Sequence, residues 1–354
     1  MLPSVSVIVP AKNEEKVIEN CIKSIMNLNY PKDKLDIIVS IDGSTDKTIE
    51  ICKKYRPNIR VIVSKPKKCK AEALNAVLPK AKGDIIAFYD ADCIVDRNCL
   101  REAVKNFSNN NISGVSGLLK SYNRNENTLT RILSMETCLA STIEHLISRC
   151  GSNAHFSGKN MYIRKEILNE IGLFDTHSFL EDVELSIRMK RKGYKVVFEP
   201  KSVIWHEEPS SLDSFVKQRS RWSRGNFRIR QSRVTIGDVL SDVIHAIPYY
   251  LSPFSLLVGT ALAFCMSLKL PLMITAPFIT LFLFNIGLVI YSRIRFKEPL
   301  RHLLLLPLWF MLSNFYFVLA SKAYIEEKTN KEFSWSKIKR SSYGSMEQLL
   351  GSYQ

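Results

Sequence analysis

The sequence has no Cys-x-x-Cys pair, although it contains eight cysteines. Cysteines at that spacing are typical of zinc sites and redox motifs, so neither a zinc site nor a disulfide framework is indicated. The N-terminus also lacks a basic region before the short apolar run Val5–Val9. We therefore expect no signal peptide, reduced and mostly buried thiols, and a first part of the chain that stays in the cytoplasm.

A glycine-rich loop is also missing after the first predicted strand, Ser4–Val9. The turn that follows is Pro10-Ala-Lys-Asn-Glu14, without Gly-x-Gly-x-x-Gly. Without those glycines a pyrophosphate cannot approach the first helix closely, which argues against a dinucleotide-binding enzyme. A sugar-nucleotide pyrophosphorylase would need a comparable loop, so it is disfavoured for the same reason.

Acidic residues are absent from positions 217–233, where seven basic residues occur in a chain of net charge +16. Nucleic acid is the obvious rival partner for such a charge. The basic stretch, however, stands immediately before an abrupt change to apolar composition near His245. Basic residues beside apolar segments are typical of the cytoplasmic side of membrane proteins, so we expect contact with membrane lipid and no nucleic acid.

Three apolar stretches follow, at 245–267, 271–291 and 303–325. Each has about the 20 residues that cross a hydrocarbon core. We therefore predict a membrane domain of about three hydrophobic helices over 236–327, a basic tail over 328–354, and a multi-pass integral membrane protein.

The side of the membrane on which the basic tail lies is open. A cytoplasmic first part and a cytoplasmic basic loop Arg293–Arg301 make the first two stretches a hairpin, so a third crossing would put the tail outside. That outcome contradicts the charge rule. Either the 303–325 stretch is re-entrant, helped by Pro307 and Asn314, or the rule is broken once.

The first part of the chain alternates strands with helices. Apolar runs predict strands at Ser4–Val9, Leu35–Ile41, Arg60–Val63 and Ile85–Tyr89. The last run is apolar at every position, which is typical of a central strand covered on both faces. The alternation predicts a doubly wound, mostly parallel, Rossmann-like sheet that binds ligands outside the carboxyl ends of its strands.

Two carboxylates one residue apart, Asp90 and Asp92, follow the central strand. In an extended chain these side chains face the same way, so they repel one another unless a cation lies between them. Mg²⁺ or Mn²⁺ takes a few carboxylate oxygens and fills its other positions with water and substrate phosphates. We predict a metal ion on Asp90 and Asp92 in a nucleoside-diphosphate site, with a solvated turn as the alternative.

Four segments resemble the successive nucleotide-sugar motifs of the family-two glycosyltransferases. They are Val5-Ser-Val-Ile-Val-Pro-Ala-Lys-Asn-Glu-Glu15, Ile41-Asp-Gly-Ser-Thr-Asp46, Lys70-Ala-Glu-Ala-Leu-Asn75 and Asp90-Ala-Asp92. The resemblance implies the GT-A fold, with Asp42 on the uracil or ribose and Asp92 holding the metal on the diphosphate. The residues it implies at the nucleotide sugar are Pro10, Ala11, Asn13, Glu14, Asp42, Lys70, Asp90, Ala91 and Asp92.

Acidic residues also open a predicted helix within Phe179–Lys190, namely Glu181, Asp182 and Glu184. Carboxylates are favoured at the start of any helix by its dipole. The functional alternative is a general base, because an acceptor hydroxyl must lose its proton as it attacks the anomeric carbon. By resemblance to the family's acidic pair, Asp182 is the expected base and Glu181 lies beside the acceptor.

A second helical motif precedes the apolar region and contains Gln218, Arg219, Arg221 and Trp222. Gln218, Arg221 and Trp222 share one helix face. An indole offers a sugar a flat apolar surface, and the guanidinium groups can bind acceptor or diphosphate oxygens. The alternative is an amphipathic helix at the lipid headgroups. After Asp-x-Asp and Glu-Asp, this Gln-x-x-Arg-Trp resembles the membrane-bound inverting branch that includes cellulose, chitin and hyaluronan synthases.

Three further segments carry structural expectations. Asn106–Asn127 is polar and should form short strands and loops, and a strand should end near Pro200. Thr128–Cys150 should form a helix that packs on the first domain or lies in the membrane interface. His206 is expected to be a structural histidine rather than a metal ligand.

Together these patterns predict a cytoplasmic catalytic domain over 1–235, with a nucleotide-sugar half (1–100) and an acceptor half with interfacial helices (101–235). The expected activity is inverting, metal-dependent transfer from a UDP-sugar to a glycan or lipid acceptor, with polymerisation of a polysaccharide. One alternative is single addition to a lipid or lipid-linked acceptor. The other is a non-enzymatic membrane component, which is disfavoured because all the carboxylates that the chemistry needs are present.

Overall fold

The structure is a computed structural model, and it describes residues 2–67, 69–231 and 272–329. These residues form two compact units. The first contains residues 2–123 and 144–208. The second contains residues 124–143 and the described residues from 209 onward.

The first unit is built on a sheet with eight strands in the described residues. In chain order they are β1 (Val5–Ala11), β2 (Leu35–Asp42), β3 (Arg60–Ser64), β4 (Ile85–Phe88), β5 (Ile94–Val95), β6 (Ile112–Ser121), β7 (Met161–Arg164) and β8 (Lys195–His206). Their spatial order is β3-β2-β1-β4-β7-β6-β8-β5. Four neighbouring pairs are parallel and three, all involving β7 or β5, are antiparallel, so the sheet is mostly parallel as predicted.

Seven helices accompany these strands in the described part of the chain before residue 195. They are α1 (Ile18–Met26), α2 (Thr48–Lys53), α3 (Lys70–Val77), α4 (Cys99–Lys105), α5 (Thr128–Arg149), α6 (Lys165–Ile171) and α7 (Glu181–Arg191). In α1 the apolar residues Ile18, Cys21, Ile22 and Ile25 recur at helical spacing and are fully buried. They pack with the buried strand residues of β1, β2 and β4 into the main core.

The first strand is longer than predicted, because it continues through Pro10 to Ala11. Its pairing with β4 ends at Ile8, whereas its pairing with β2 continues to Ala11. Pro10 therefore lies where one side of the strand carries no ladder, a position at which the missing N–H is tolerated. This extension carries Pro10 and Ala11 to the carboxyl edge of the sheet.

Asn106–Asn127 was expected to form short strands and loops, but β6 is one strand of ten of these residues and most of them are buried. Gly114 and Gly117 of this strand both meet neighbouring groups too closely for a side chain. A Cβ would lie 2.5 Å from the Phe156 ring at Gly114 and 2.1 Å from the Asn160 side chain at Gly117. These glycines allow close packing inside a strand.

Strand β8 does not end near Pro200 but continues to His206. Its register against β6 shifts at that point, from Gly117 opposite Glu199 to Leu118 opposite Val203. Three extra residues of β8, including Pro200, are accommodated in this irregularity. Proline is tolerated at such a bulge, and the chain then continues to the carboxyl edge of β6.

The second unit is helical in its described residues. Besides the first part of α5, it contains α8 (Leu212–Gln231), α9 (Leu272–Arg295) and α10 (Leu306–Lys328), with a 3-10 turn at Leu300–Leu305. Its core contains Leu133 of α5, Phe215 of α8, and Tyr316 and Leu319 of α10. The helix predicted over Thr128–Cys150 is confirmed, and it buries an apolar face.

One helix of the described residues, Leu300–Glu326, is long and apolar enough to cross a membrane. Of the predicted stretches, 271–291 falls in α9 and 303–325 in α10, whereas 245–267 and most of the basic tail lie outside the described residues. Helix α10 is unbroken from Leu306 to Lys328, with Pro307 in its first turn. The described residues therefore do not support a re-entrant turn at Pro307 and Asn314.

Candidate active site

The ammonium of Lys70 joins two acidic motifs in the first unit. Lys70 begins α3, and its Nζ lies 2.7 Å from Asp90 Oδ1 and 3.2 Å from Glu181 Oε1. Asp90 follows β4, and Glu181 begins α7. Burial opposes the charged form of Lys70, but the two carboxylates outweigh that effect and raise its pKa well above the ordinary value. The lysine is therefore a fixed positive charge between the two motifs.

The carboxylate of Asp182 lies beside this lysine. Its Oδ2 accepts a hydrogen bond of 2.6 Å from the Gly158 N–H, and its Oδ1 accepts one of 2.9 Å from the Val183 N–H. A Cβ at Gly158 would lie 3.1 Å from Asp182 Oδ2 and 3.3 Å from Lys70 Nζ. Glycine thus lets the backbone approach a carboxylate and an ammonium together.

The pKa of Asp182 is raised from its ordinary value. Burial is the main cause and the neighbouring Glu181 adds to it, while Lys70 and the Gly158 N–H act in the opposite direction. A carboxylate with a raised pKa is a better proton acceptor. The expected general base therefore has an environment that suits proton transfer.

Asp92 forms an ion pair with a different lysine, Lys159. Its side chain is 1% exposed, and Lys159 Nζ lies 3.5 Å from its Oδ2. Asp90 and Asp92 were expected to repel unless a metal ion lay between them, but each has its own ammonium, Lys70 or Lys159. These two ammonium groups reduce the repulsion, so the metal ion on Asp90 and Asp92 stays a prediction. Lys159 belongs to none of the motifs, and nothing in its local sequence pattern indicated this contact.

His206 also contacts Lys159. Its Nδ1 lies 3.1 Å from Lys159 Nζ, and its Nε2 lies 3.4 Å from Glu208 Oε1. Burial, followed by the Lys159 charge, lowers the pKa of His206, which favours the neutral ring. A neutral imidazole is a metal ligand. The sequence favoured a structural histidine, whereas the extended β8 brings His206 to the same ammonium as Asp92.

Besides the predicted ligand Asp90, which contacts Lys70, the residues that could hold a divalent cation are Asp92 and His206, which face a common positive charge. The described residues contain no group of three or more histidine, cysteine or acidic side chains arranged to hold a metal. Mg²⁺ and Mn²⁺ sites in enzymes need no complete protein cage, because substrate phosphates and water supply the remaining ligands. The Asp92 carboxylate and the His206 imidazole fit such an ion, and the Lys159 ammonium now occupies the position between them.

The implied nucleotide residues Asn13 and Glu14, which follow β1, are hydrogen-bonded to the segment that follows β2. Asn13 Oδ1 accepts a hydrogen bond of 2.7 Å from the Thr45 N–H, and the Glu14 N–H donates to Thr48 Oγ1 at 2.8 Å. Asp42 is 7% exposed, and its Oδ1 accepts a hydrogen bond of 2.6 Å from the Lys67 N–H. Asn13 and Glu14 thus connect the loop after β1 to the loop after β2, beside Asp42.

Buried polar groups support the strands that carry these residues. The hydroxyls of Tyr89 and Tyr162 lie 2.8 Å apart, and Tyr162 donates to Asn160 Oδ1 at 2.9 Å. Asn160 Nδ2 donates in turn to the Ser202 carbonyl at 2.9 Å. Because Tyr89 precedes Asp90 and Asn160 follows Lys159, this network holds the backbone on both sides of the acidic cluster.

The Gln-x-x-Arg-Trp segment lies in α8 of the second unit, where Arg219 is 4% exposed. Its Nη2 lies 3.0 Å from Glu136 Oε1, and its Nε donates to the Tyr316 hydroxyl at 2.6 Å. Its guanidinium also stacks 4.1 Å from the centre of the Trp222 ring. Gln218 is buried and accepts a hydrogen bond from Arg219, whereas Arg221 is half-buried and Trp222 is exposed.

Comparison with known proteins identifies the family. A sequence profile described as "Glycosyltransferase like family 2" matches residues 3–225. The chain belongs to glycosyltransferase family 2. The family membership predicted from the motifs is therefore confirmed.

Curated relatives of this family 2 chain include the probable glycosyltransferase YdaM of Bacillus subtilis (strain 168). It is 36% identical over 233 residues, which cover 64% of this chain and 56% of that protein. The poly-beta-1,6-N-acetyl-D-glucosamine synthase of Staphylococcus aureus (strain COL) is 28% identical over 232 residues, with the same coverage of 64% and 56%. The matched region thus spans little more than half the length of these relatives.

Among solved structures, the family 2 chain is similar to "Mannosyltransferase PcManGT from Pyrobaculum calidifontis in complex with GDP-Man and Mn2+". The TM-score is 0.62 at 22% sequence identity, over 94% of this chain and 89% of that one. At that identity the similarity establishes the fold alone. The predicted GT-A-like α/β fold is confirmed.

Proposed function

We propose that this chain is an inverting glycosyltransferase that moves a sugar from a nucleoside diphosphate donor, a UDP-sugar, to an acceptor hydroxyl. The observation that carries the proposal is the Lys70 ammonium, which contacts both Asp90 and Glu181 beside Asp182. Motifs about ninety residues apart in sequence thereby form one acidic cluster at the carboxyl edge of β4. Ligands of such sheets bind at that edge.

Asp182 is the proposed base. The acceptor oxygen attacks the anomeric carbon while its proton passes to the Asp182 carboxylate. The bond from the anomeric carbon to the diphosphate oxygen breaks in the same step, and the nucleoside diphosphate leaves. Because attack and departure occur on opposite faces, one displacement inverts the anomeric centre. The Gly158 N–H holds Asp182 Oδ2, which keeps the carboxylate in one orientation.

Lys70 is the proposed partner of the departing diphosphate. An ammonium near phosphate oxygens stabilises the negative charge that develops as the bond breaks. Mg²⁺ or Mn²⁺, held by Asp92 with His206 as a second donor, would supply further neutralisation of that charge when bound. The PcManGT structure is a complex with Mn²⁺, which supports this choice of ion.

We also propose that the second unit anchors the chain in a membrane. Besides its apolar core, its described helices bury several polar residues and expose large apolar ones, which favours apolar surroundings. The fully or nearly fully buried polar residues include Asn285, Ser292, Arg293 and Ser313. The exposed apolar residues include Leu304, Met311, Val318 and Ile325. Membranes washed at alkaline pH should retain the protein, and its complete release would reject the anchor.

The function is tested with the full chain purified in detergent and incubated with labelled donors. UDP-sugars are compared with GDP-mannose, which is included because of the PcManGT complex. Transfer should occur from a UDP-sugar. Lys70→Met should lose it, while Lys105→Met, which removes an exposed lysine of α4, should retain it. Failure to transfer from every donor, or normal turnover by Lys70→Met, would overturn the proposal.

The size of the product separates two acceptor classes. The poly-beta-1,6-N-acetyl-D-glucosamine synthase relative supports a growing glycan chain as the acceptor. Membranes incubated with the labelled donor should then yield a ladder of long products. A single product that organic solvent extracts would instead establish one addition to a lipid acceptor.

A further inference from the structure

We propose that the Lys159 ammonium is an internal counter-cation that holds the metal position at Asp92 while no donor is bound and leaves it when metal and donor bind together. This inference rests on the proposed glycosyltransferase function. It concerns a residue that none of the four nucleotide-sugar motifs, the acidic pair or the Gln-x-x-Arg-Trp includes.

The geometry places Lys159 between two metal-ligand groups. Its Nζ lies 3.5 Å from Asp92 Oδ2 and 3.1 Å from His206 Nδ1. A lysine has three donors and no acceptor, so it faces a carboxylate oxygen and, in the tautomer with the proton on Nε2, an imidazole lone pair as a cation would. The three residues come from different parts of the fold: Asp92 follows β4, Lys159 precedes β7, and His206 ends β8.

The space around Asp92 makes the lysine and a metal ion mutually exclusive. A cavity of about 10 Å³ borders Asp92 on the side of Lys16, Asn20 and Tyr122. That volume holds about one water molecule, too little for an ion that keeps part of its hydration shell. Lys159 is the more exposed member of its pair, with 19% of its side chain accessible against 1% for Asp92. An ion bound to both Asp92 Oδ2 and His206 Nδ1 would occupy the position of the ammonium, which lies within 3.5 Å of both atoms.

A lysine side chain can be displaced from a binding position more easily than a rigid one. Its ammonium ends a flexible four-carbon stem and can withdraw without movement of the backbone. The 3.5 Å separation from Asp92 is longer than that of a strong charge-assisted hydrogen bond. In contrast, Lys70 contacts Asp90 at 2.7 Å and Glu181 at 3.2 Å, so it is held by two carboxylates.

This arrangement makes the metal and the donor bind cooperatively. Without a donor, the ion must displace an ammonium that already neutralises Asp92, so metal alone binds weakly. A donor diphosphate adds ligands for the ion and negative charge, so the divalent cation and the displaced ammonium can both have anionic partners. Coupling of two ligands through a shared site commonly changes each affinity by about 5- to 150-fold.

The test measures Mn²⁺ binding to the detergent-purified full chain without nucleotide, from the electron paramagnetic resonance signal of free Mn²⁺. Lys159→Met removes the ammonium, and we expect it to bind Mn²⁺ about tenfold or more tightly than the wild type. Lys159→Arg keeps the charge and should stay near the wild type. With UDP present, the advantage of Lys159→Met should shrink.

Matched variants make each outcome decisive. Lys105→Met removes one positive charge at an exposed site of α4 and should leave Mn²⁺ affinity unchanged. Equal Mn²⁺ affinity of wild type and Lys159→Met, or an equal gain in Lys105→Met, would overturn the inference. If Lys159→Met does not fold, Lys159→Gln replaces it in the same comparison. Failure of the wild type to bind UDP with Mn²⁺ would reject the proposed function, whereas normal UDP binding without the gain in Lys159→Met rejects this inference alone.

Discussion

Two clusters of buried charge in this molecule balance their charges differently. In the second unit the Arg219 guanidinium meets the Glu136 carboxylate, with side chains only 4% and 6% exposed. The Tyr316 hydroxyl adds a hydrogen bond of 2.7 Å to Glu136 Oε2. In the first unit Lys70 faces Asp90 and Glu181, with side chains 27%, 24% and 11% exposed. Asp182 lies beside them.

The difference separates a structural cluster from the one proposed to bind ligands. Arg219 and Glu136 form a neutral, closed pair in which the carboxylate has two donors. The cluster around Lys70 has more carboxylates than ammonium groups and remains partly open to solvent. Uncompensated charge costs stability unless a proton, a cation or a ligand balances it. The charged motifs around Arg219 and Lys70 look alike in the sequence, but their different burial and charge balance indicate different roles.

The largest effect is expected at Asp182. Asp182→Asn keeps the shape of the side chain but removes the proton acceptor, so turnover should fall by the roughly 10²- to 10⁴-fold of a lost general base. Donor affinity should stay near the wild-type value because the carboxylate is proposed to act on the acceptor. Steady-state rates and UDP binding measure the two quantities. Equal losses of both would place Asp182 in the donor site and make Glu181 the next candidate base, and full activity would favour a non-enzymatic scaffold.

Arg219→Met should affect stability rather than chemistry. The variant leaves Glu136 buried without its charged partner, and breaking a buried ion pair costs about 3–5 kcal/mol. Thermal unfolding in detergent should show the loss, and Glu136→Gln should show a comparable one. A stable Arg219→Met protein that has lost turnover would instead assign Arg219 to the acceptor or diphosphate, as the motif resemblance implies.

Asp92→Asn should weaken the donor site. The substitution removes a negative ligand of the proposed ion, so metal affinity should fall by at least the roughly 10- to 100-fold that loss of an outer-shell partner costs. Binding of UDP should then require a higher Mn²⁺ concentration. Isothermal titration of UDP at several Mn²⁺ concentrations measures this dependence. Metal-independent turnover by the wild type would reject the site as proposed.

The pH dependence of kcat/KM should report Asp182. The base must be ionised, so activity should fall as the pH drops through its raised pKa, by about tenfold per pH unit below it. Glu181 raises the pKa of Asp182, and neutralising it in Glu181→Gln should move this acid limb to lower pH. An acid limb that stays in place in Glu181→Gln would show that the two groups are not coupled.

The smallest effect is expected at an exposed ion pair on α8. Asp213 and Lys217 lie 2.6 Å apart with side chains 73% and 47% exposed. Asp213→Asn should change the free energy of unfolding by no more than about 1 kcal/mol, because solvent screens such pairs. Thermal unfolding beside Arg219→Met gives the comparison within one helix. A loss as large as that of Arg219→Met would mean that burial does not distinguish the two pairs.

Local patterns in the sequence predicted much of the first unit. Apolar runs located β1 to β4, and the carboxylates after β4 and at the start of α7 indicated the site. The length of β6 was missed, because the close packing of its glycines against Phe156 and Asn160 is not visible in a local pattern. The antiparallel insertion of β7 between β4 and β6 was missed for a similar reason, since pairing partners are distant in sequence.

The two lysines show the same limit at the site. Lys70 belongs to a motif, so the resemblance located it, although its contact with Glu181 was not foreseen. Lys159 has no motif, and its contacts with Asp92 and His206 span 67 and 47 residues of sequence. Such contacts depend on the order of strands in the sheet and on the irregularity in β8, neither of which the periodicity specifies.

The irregularity in β8 also determines how insertions and deletions would act. Three residues separate the two registers in which this strand pairs with β6. Successive residues of a strand face opposite sides of the sheet, so deleting any one of the three residues from Pro200 to Ser202 would turn His206 to the other face. Deleting two would keep the face but draw the imidazole back by roughly 6–7 Å. Loops generally tolerate changes of length, but the number of residues in this short segment sets the position of the His206 imidazole. Deletion scanning should therefore find this segment among the parts of the sheet that tolerate deletions least.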